Sequence, residues 1–242
     1  MSVWTAVTWG AVTAASLLVG QALAGALGRR HQLTGLIMGF GAGTLLSAIA
    51  YQLVPDAGEG HGWLVGSSLA LGALTYFFAD RLIDRGGGAN RQRIRATGAG
   101  GSGLAMFLGA LLDGIPESFV LGIGMGMGET VSAAFVVAVF VSNVPEGVAG
   151  TTSMRAAGWS TRGITGLWGS LTVVCAVVAG LGFLSAGAMT NAGQGAEAFA
   201  AGAMLMVLAD SMIPEAYTHG GQAVGLATVG GYLVATALAA AG

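Results

Sequence analysis

The 242-residue chain has no lysine, one cysteine, three histidines and four prolines, and only 8% of its residues are charged. Each scarcity excludes something. A soluble domain carries about 25% charged residues, so this chain cannot cover a surface that faces water. Its one cysteine, Cys175, allows no disulfide within the chain and no thiolate metal cluster, and it reads as a core residue of an apolar run. The five arginines of the longest polar stretch are too dispersed to form a nucleic-acid-binding patch. There is no His-Glu-x-x-His motif, and no apolar run pairs a histidine with a nucleophilic serine or cysteine. The expectation is a protein that is not an enzyme and holds no resident cofactor.

What the chain does have is apolar length. Hydrophobic residues make up 54% of it, the mean hydropathy is +0.76, and 44 residues are glycine, which lets helices in lipid approach closely. Eight apolar stretches, about residues 3–27, 33–54, 62–83, 103–125, 130–152, 163–187, 197–217 and 222–241, mostly reach the roughly 20 residues that cross a bilayer. The fold class is therefore an all-α integral membrane protein of eight transmembrane helices, read as one transporter domain over residues 1–242 with the lipid bilayer as its partner. The first stretch ends near Ala22-Leu23-Ala24, which resembles a cleavage site. It has no basic region before it and Arg29 and Arg30 after it, so it reads as a retained span.

Arginine placement sets the expected orientation. Arg29 and Arg30 follow span one; Arg81, Arg85, Arg91, Arg93 and Arg95 lie between spans three and four; Arg155 and Arg162 lie between spans five and six. Even-numbered loops instead carry Asp56, Glu59, His61 and Glu129. The positive-inside rule then puts both termini outside the cytoplasm, in a multi-pass protein of the cytoplasmic membrane. The stretch 84–102, with Gly86-Gly87-Gly88, reads as a cytoplasmic linker.

Every proline precedes a carboxylate: Pro55-Asp56, Pro116-Glu117, Pro145-Glu146 and Pro214-Glu215. A proline within a helix leaves the carbonyl one turn back without its donor, and a carboxylate in a span is costly enough to mark an ion or substrate path. The pairs also repeat. A shift of 159 carries Phe40, Gly43, Leu46, Pro55 and Asp56 onto Phe199, Gly202, Leu205, Pro214 and Glu215, and a shift of 29 carries Pro116-Glu117 onto Pro145-Glu146. In both cases the spans are expected to run in opposite directions, and inverted repeats with interrupted helices are a mark of secondary transporters.

Spans four and five carry the candidate chemistry. Asp113 and Glu117 are four apart, Asn143 and Glu146 three apart, so each pair shares a helical face. If the faces meet, three carboxylates and an amide converge with the carbonyls of Leu112 and Val141, and a cation or protons must balance the charge. Asp210 in span seven is placed on the same path; Asp56, Glu129 and Glu215 read as solvated span ends, and Glu197 as a helix-start carboxylate. The three histidines, His31, His61 and His219, fall in expected loops and read as surface residues, and Met125, Met127, Met204, Met206 and Met212 as packing.

These segments resemble the ZIP family of divalent-metal transporters, through Asp113-Gly114-Ile115-Pro116-Glu117-Ser118, Asn143-Val144-Pro145-Glu146-Gly147 and the matching parts of spans two and seven. The resemblance covers nearly the whole chain. It implies eight spans, external termini, and a metal site on Glu117, Asn143 and Glu146, with Asp113 standing where relatives carry histidine. It also implies that a bundle containing spans four and five moves against a scaffold of the others. Asp210-Ser211 replaces a usual His-Glu, and Gly166-Leu167-Trp168-Gly169 lacks a carboxylate found in span six of relatives. The donor set thus reads as all-oxygen, which leans toward Mn²⁺, Mg²⁺ or Ca²⁺ while still accepting Zn²⁺. The expected function is passage of a divalent cation (zinc, manganese or iron) toward the cytoplasm, the metal being the transported substrate. The alternatives are a carrier of an organic cation or other solute, and a ZIP-like membrane protein that does not transport. A homodimer is left open.

Overall fold

The computed structural model describes residues 1–54, 62–83, 103–128, 133–186 and 193–241. Pro55, Asp56, Glu59, His61, Glu129 and the linker 84–102 lie outside the described residues. Among the described residues the protein is helical without strands, and eight helices are long and apolar enough to cross a membrane. Their bounds follow the apolar runs closely: Val3–Leu27, His31–Tyr51, Gly62–Leu82, Phe107–Gly126, Phe135–Ala156, Thr161–Ala186, Gly195–Gly220 and Ala223–Ala240.

Helices α1 (Val3–Ala14) and α2 (Ser16–Leu27) form span one, joined at Ala15, where the Ser16 hydroxyl donates to the Thr13 carbonyl. Span two is α3 (His31–Ala48), span three α4 (Gly62–Ile83), span four α5 (Gly103–Gly126), span five α6 (Ala133–Ala156) and span six α7 (Thr161–Ala186). Span seven runs through α8 (Gly193–Val207) and α9 (Ile213–Gly220), and span eight is α10 (Ala223–Ala241). Gly221 turns span seven into span eight at φ +64°, a left-handed backbone that a side chain disfavours.

Spans two and seven each widen into a π-helical turn, Ile49–Leu53 and Leu208–Met212. The Val54 N–H donates to the Ile49 carbonyl at 3.0 Å, and the Ile213 N–H donates to the Leu208 carbonyl. The shift of 159 that aligns the two spans by sequence carries one π turn onto the other, residue for residue. The cause is legible in the chain. Each turn ends two residues before a proline, and the wider ring relieves a ladder that the missing N–H has already broken.

The main helix pairings are α5 on α7, α3 on α10, α4 on α8, α2 on α6, α1 on α7, α3 on α6 and α3 on α9, with α5 also passing α8 and α4. Reciprocal glycine pairs set several of these contacts. A Cβ on Gly43 would lie 1.9 Å from the Thr228 carbonyl oxygen, and one on Gly231 2.0 Å from that of Phe40. A Cβ on Gly72 or Gly202 would lie 1.8 or 1.9 Å from the Phe199 or Leu69 carbonyl oxygen, and one on Gly122 or Gly182 2.0 or 2.5 Å from that of Ala179 or Phe119. The backbones therefore touch, and dispersion between them holds the helices where lipid tails would compete equally for larger apolar side chains. The outward faces, such as Leu71, Leu74, Phe78 and Leu82 of α4 or Leu226, Val229 and Leu233 of α10, are exposed and apolar, as lipid requires.

Gly202→Ala is expected to lower the thermal midpoint of the detergent-purified protein, by overpacking worth about 1–3 kcal/mol. Gly66→Ala, where an added Cβ meets nothing within 4 Å, should leave the midpoint unchanged or slightly raised. Thermal unfolding of the two variants beside the parent checks both, and equal midpoints would remove the glycine pairs from the account of packing.

Candidate functional site

Pro116 and Pro145 lie inside α5 and α6, and the acids that follow them turn toward the same space. Glu117, Ser118, Asn143 and Glu146 supply polar atoms to a cavity of about 10 Å³, closed by Thr13 and Leu17 of span one and by Leu171 and Cys175 of span six. That volume holds about one water-sized body. Glu117 is 7% exposed and Asn143 7%, while Glu146 is half-buried. The Asn143 amide donates to the Glu117 carboxylate, and the like charge of Asp113 acts on Glu117 from one turn away. A buried carboxylate beside another of the same sign favours either a proton or a cation as its partner.

Four of the five residues singled out by sequence sit together. Glu117, Asn143 and Glu146 line the cavity, and Asp113 lies one turn from Glu117 on α5, its Oδ1 accepting a 2.6 Å hydrogen bond from the Tyr76 hydroxyl of α4. Asp210 stands apart. It falls within the π turn of span seven, its side chain is exposed, and it does not line this cavity. As the side chains stand, no three His, Cys, Asp or Glu groups among the described residues are grouped to hold a metal ion. Closing a coordination shell here requires Glu117 and Glu146 to draw together around the ion, as like charges do only when a cation lies between them.

Several residues take places that sequence reading did not assign. Cys175 is buried as expected, 1% exposed, but its thiol also faces the cavity, hydrogen-bonded with Ser118 and within the field of Glu117 and Glu146. The lining is therefore not all-oxygen. His219 lies in helix α9 rather than a loop, and its Nε2 is 2.6 Å from Oε1 of Glu215, which is buried rather than solvated. His31 opens α3 with its ring centroid 5.8 Å from that of His219. The helix starts and ends where the apolar run thins, and these polar residues extend it by about a turn. Glu197 falls beyond the first turn of α8 and is buried. Tyr76 and Asp80, both buried in span three, gave no motif; a phenol in an apolar span, which needs a partner when buried, was the one available sign of Tyr76.

No protein-family model matches the chain. The chain is similar to an Arabidopsis thaliana protein named as a candidate zinc transporter, with 29% identity over 196 residues, which is 77% of this chain and 30% of that protein. The chain thus spans less than a third of that relative's length.

The single thiol makes occupancy of the cavity measurable. Cys175 is expected to react slowly with a small methanethiosulfonate reagent in the folded protein, and more slowly still with saturating Mn²⁺. The rate of labelling by mass spectrometry checks this, and equal rates with and without metal would place the cavity off the cation path.

Proposed function

We propose that the protein is a secondary carrier of divalent metal cations, moving zinc, manganese or iron across the cytoplasmic membrane toward the cytoplasm. The observation that carries this reading is the small cavity in which Glu117 and Glu146, from two proline-interrupted helices, meet the Asn143 amide. Buried acids in a span are costly, and a divalent ion offsets two of them at once. The similarity to a protein named for zinc transport agrees with a metal as cargo. The ZIP resemblance supplies the family reading, and the arginine pattern the orientation with both termini outside.

The size of the cavity argues against an organic cation, since room for one water-sized body suits a bare ion. The Cys175 sulfur in the lining shifts the expected preference back toward zinc, because soft and borderline ions favour sulfur over an all-oxygen set. By the resemblance, a bundle containing α5 and α6, which line the cavity, moves against a scaffold of the other helices. Sliding of one past the other would expose the cavity to each side in turn.

Purified protein in liposomes should take up at least one of Zn²⁺, Mn²⁺ or Fe²⁺, and Glu117→Gln or Glu146→Gln should lower the initial rate by at least roughly 100-fold with folding intact, the scale expected when a charged ligand is lost. Metal flux by fluorescent indicator or isotope checks this. Unchanged flux in both folded variants would overturn the site, and amine-competed flux with no metal flux would favour the organic-solute reading.

A further inference from the structure

Four of the nine arginines lie at one end of the bundle. Arg29 and Arg30 follow α2, Arg155 lies in the last turn of α6, and Arg162 in the first turn of α7. Two contacts bring these helix ends together. A Cβ on Gly28 would lie 2.7 Å from the Thr152 hydroxyl oxygen, so α2 and α6 run side by side to their ends. The Gln21 amide donates to the Thr165 hydroxyl at 2.6 Å, which sets the start of α7 against the last turns of α2. Each arginine is within one helical turn of Gly28, Thr152 or Thr165. All four are exposed, and neither connecting loop carries a carboxylate. Among the described residues none of the four is in an ion pair. Helix ends account for only part of this charge. The C-termini of α2 and α6 favour a cation, but Arg162 stands at the N-terminus of α7, where a cation is disfavoured. An anion is the partner that this end of α7 and the guanidinium groups share.

We propose that this end of spans one, five and six binds the headgroup of an anionic phospholipid. A guanidinium group meets phosphate through two parallel N–H donors, and several around one diester hold it better than a lone surface arginine does. The setting suits a lipid. Trp159, 38% exposed in the loop between Arg155 and Arg162, is an indole of the kind that lies at headgroup depth. Next to the arginines, the seam between α2 and α7 closes at Gln21–Thr165 and opens toward the helix ends. Gly25 shares the Gln21 face of α2, and no atom lies within 4 Å of a Cβ placed on it. The same holds for Gly166, beside Thr165. An acyl chain fits such an apolar opening, for which a free phosphate has no use. The bound diester lowers the mutual repulsion of the four cations, and so stabilises the packing of α2, α6 and α7. The inference does not depend on what the protein carries.

The test is native mass spectrometry of the full chain in detergent, titrated with phosphatidylglycerol or phosphatidylcholine, beside thermal unfolding with each lipid. The parent should retain phosphatidylglycerol in preference to phosphatidylcholine and unfold at a higher temperature with it. Arg155→Gln combined with Arg162→Gln should weaken phosphatidylglycerol binding by roughly 25-fold, about fivefold for each charge removed. In phosphatidylcholine that variant should unfold no lower than the parent. Arg81→Gln is the control. Its guanidinium lies 4.4 Å from the centroid of the Phe77 ring, on α4 rather than on these three helices, and its loss should change neither readout. If the double variant fails to fold, Arg155→Gln and Arg162→Gln singly carry the test, each at about fivefold. Equal retention of the two lipids by the parent would overturn the proposal. So would a loss in Arg81→Gln as large as in the patch variants, which would mean dispersed surface charge. Inorganic phosphate that stabilises the parent as much as phosphatidylglycerol would also overturn it, in favour of a small-anion site.

Discussion

A helix in lipid must satisfy every backbone N–H and C=O from within, since nothing outside it can donate or accept. This chain breaches that rule at its prolines and sets a carboxylate immediately after each one. The rest of the architecture follows from how the breaches are contained. In spans two and seven the backbone widens into matching π turns. In spans four and five the helix continues through Pro116 and Pro145, and the disturbed turns face each other over the small cavity rather than facing lipid. Polar cost and polar function thus sit at the same places, because a site where the backbone is already under-satisfied is also where a cation is best received.

Containing that cavity requires a tight wall, and the glycine pairs provide it. Where these helices pack, the backbones touch at points where no Cβ fits. Gly41 lies close against Ser142 where α3 crosses α6, and the Tyr76 phenol of α4 reaches Asp113 of α5.

Much of this was legible in the sequence. Hydropathy located all eight spans to within a few residues, because a run of apolar residues long enough to cross a bilayer has few other uses. The Pro-Glu pairs located Glu117 and Glu146, and helical spacing added Asn143 and Asp113. What failed was the assignment of neighbours across the bundle. In a soluble helix the polar face announces which side is buried, but a membrane helix is apolar all round, and its pattern says little about what it touches. Tyr76 and Asp113 are 37 positions apart, and nothing in either local sequence pairs them. Cys175 read correctly as buried yet gave no sign that its burial was beside two acids. Asp210, placed on the same path by its position in span seven, lies within the π turn with its side chain exposed.

The glycine pairs also govern how such a chain can drift. At Gly43, Gly72, Gly202 and Gly231 any larger residue collides with main-chain oxygen, so these positions are closed to change. Lipid-facing positions such as Leu74, Leu226 and Leu233 accept any apolar residue at little cost, because one hydrocarbon side chain dissolves in the bilayer about as well as another. Divergence therefore accumulates on the outside of the barrel of helices while the seams stay fixed. Two such proteins can retain the same cross-section long after their overall identity has fallen to levels where whole-sequence comparison loses them, and the seams are where a search for more distant relatives should look.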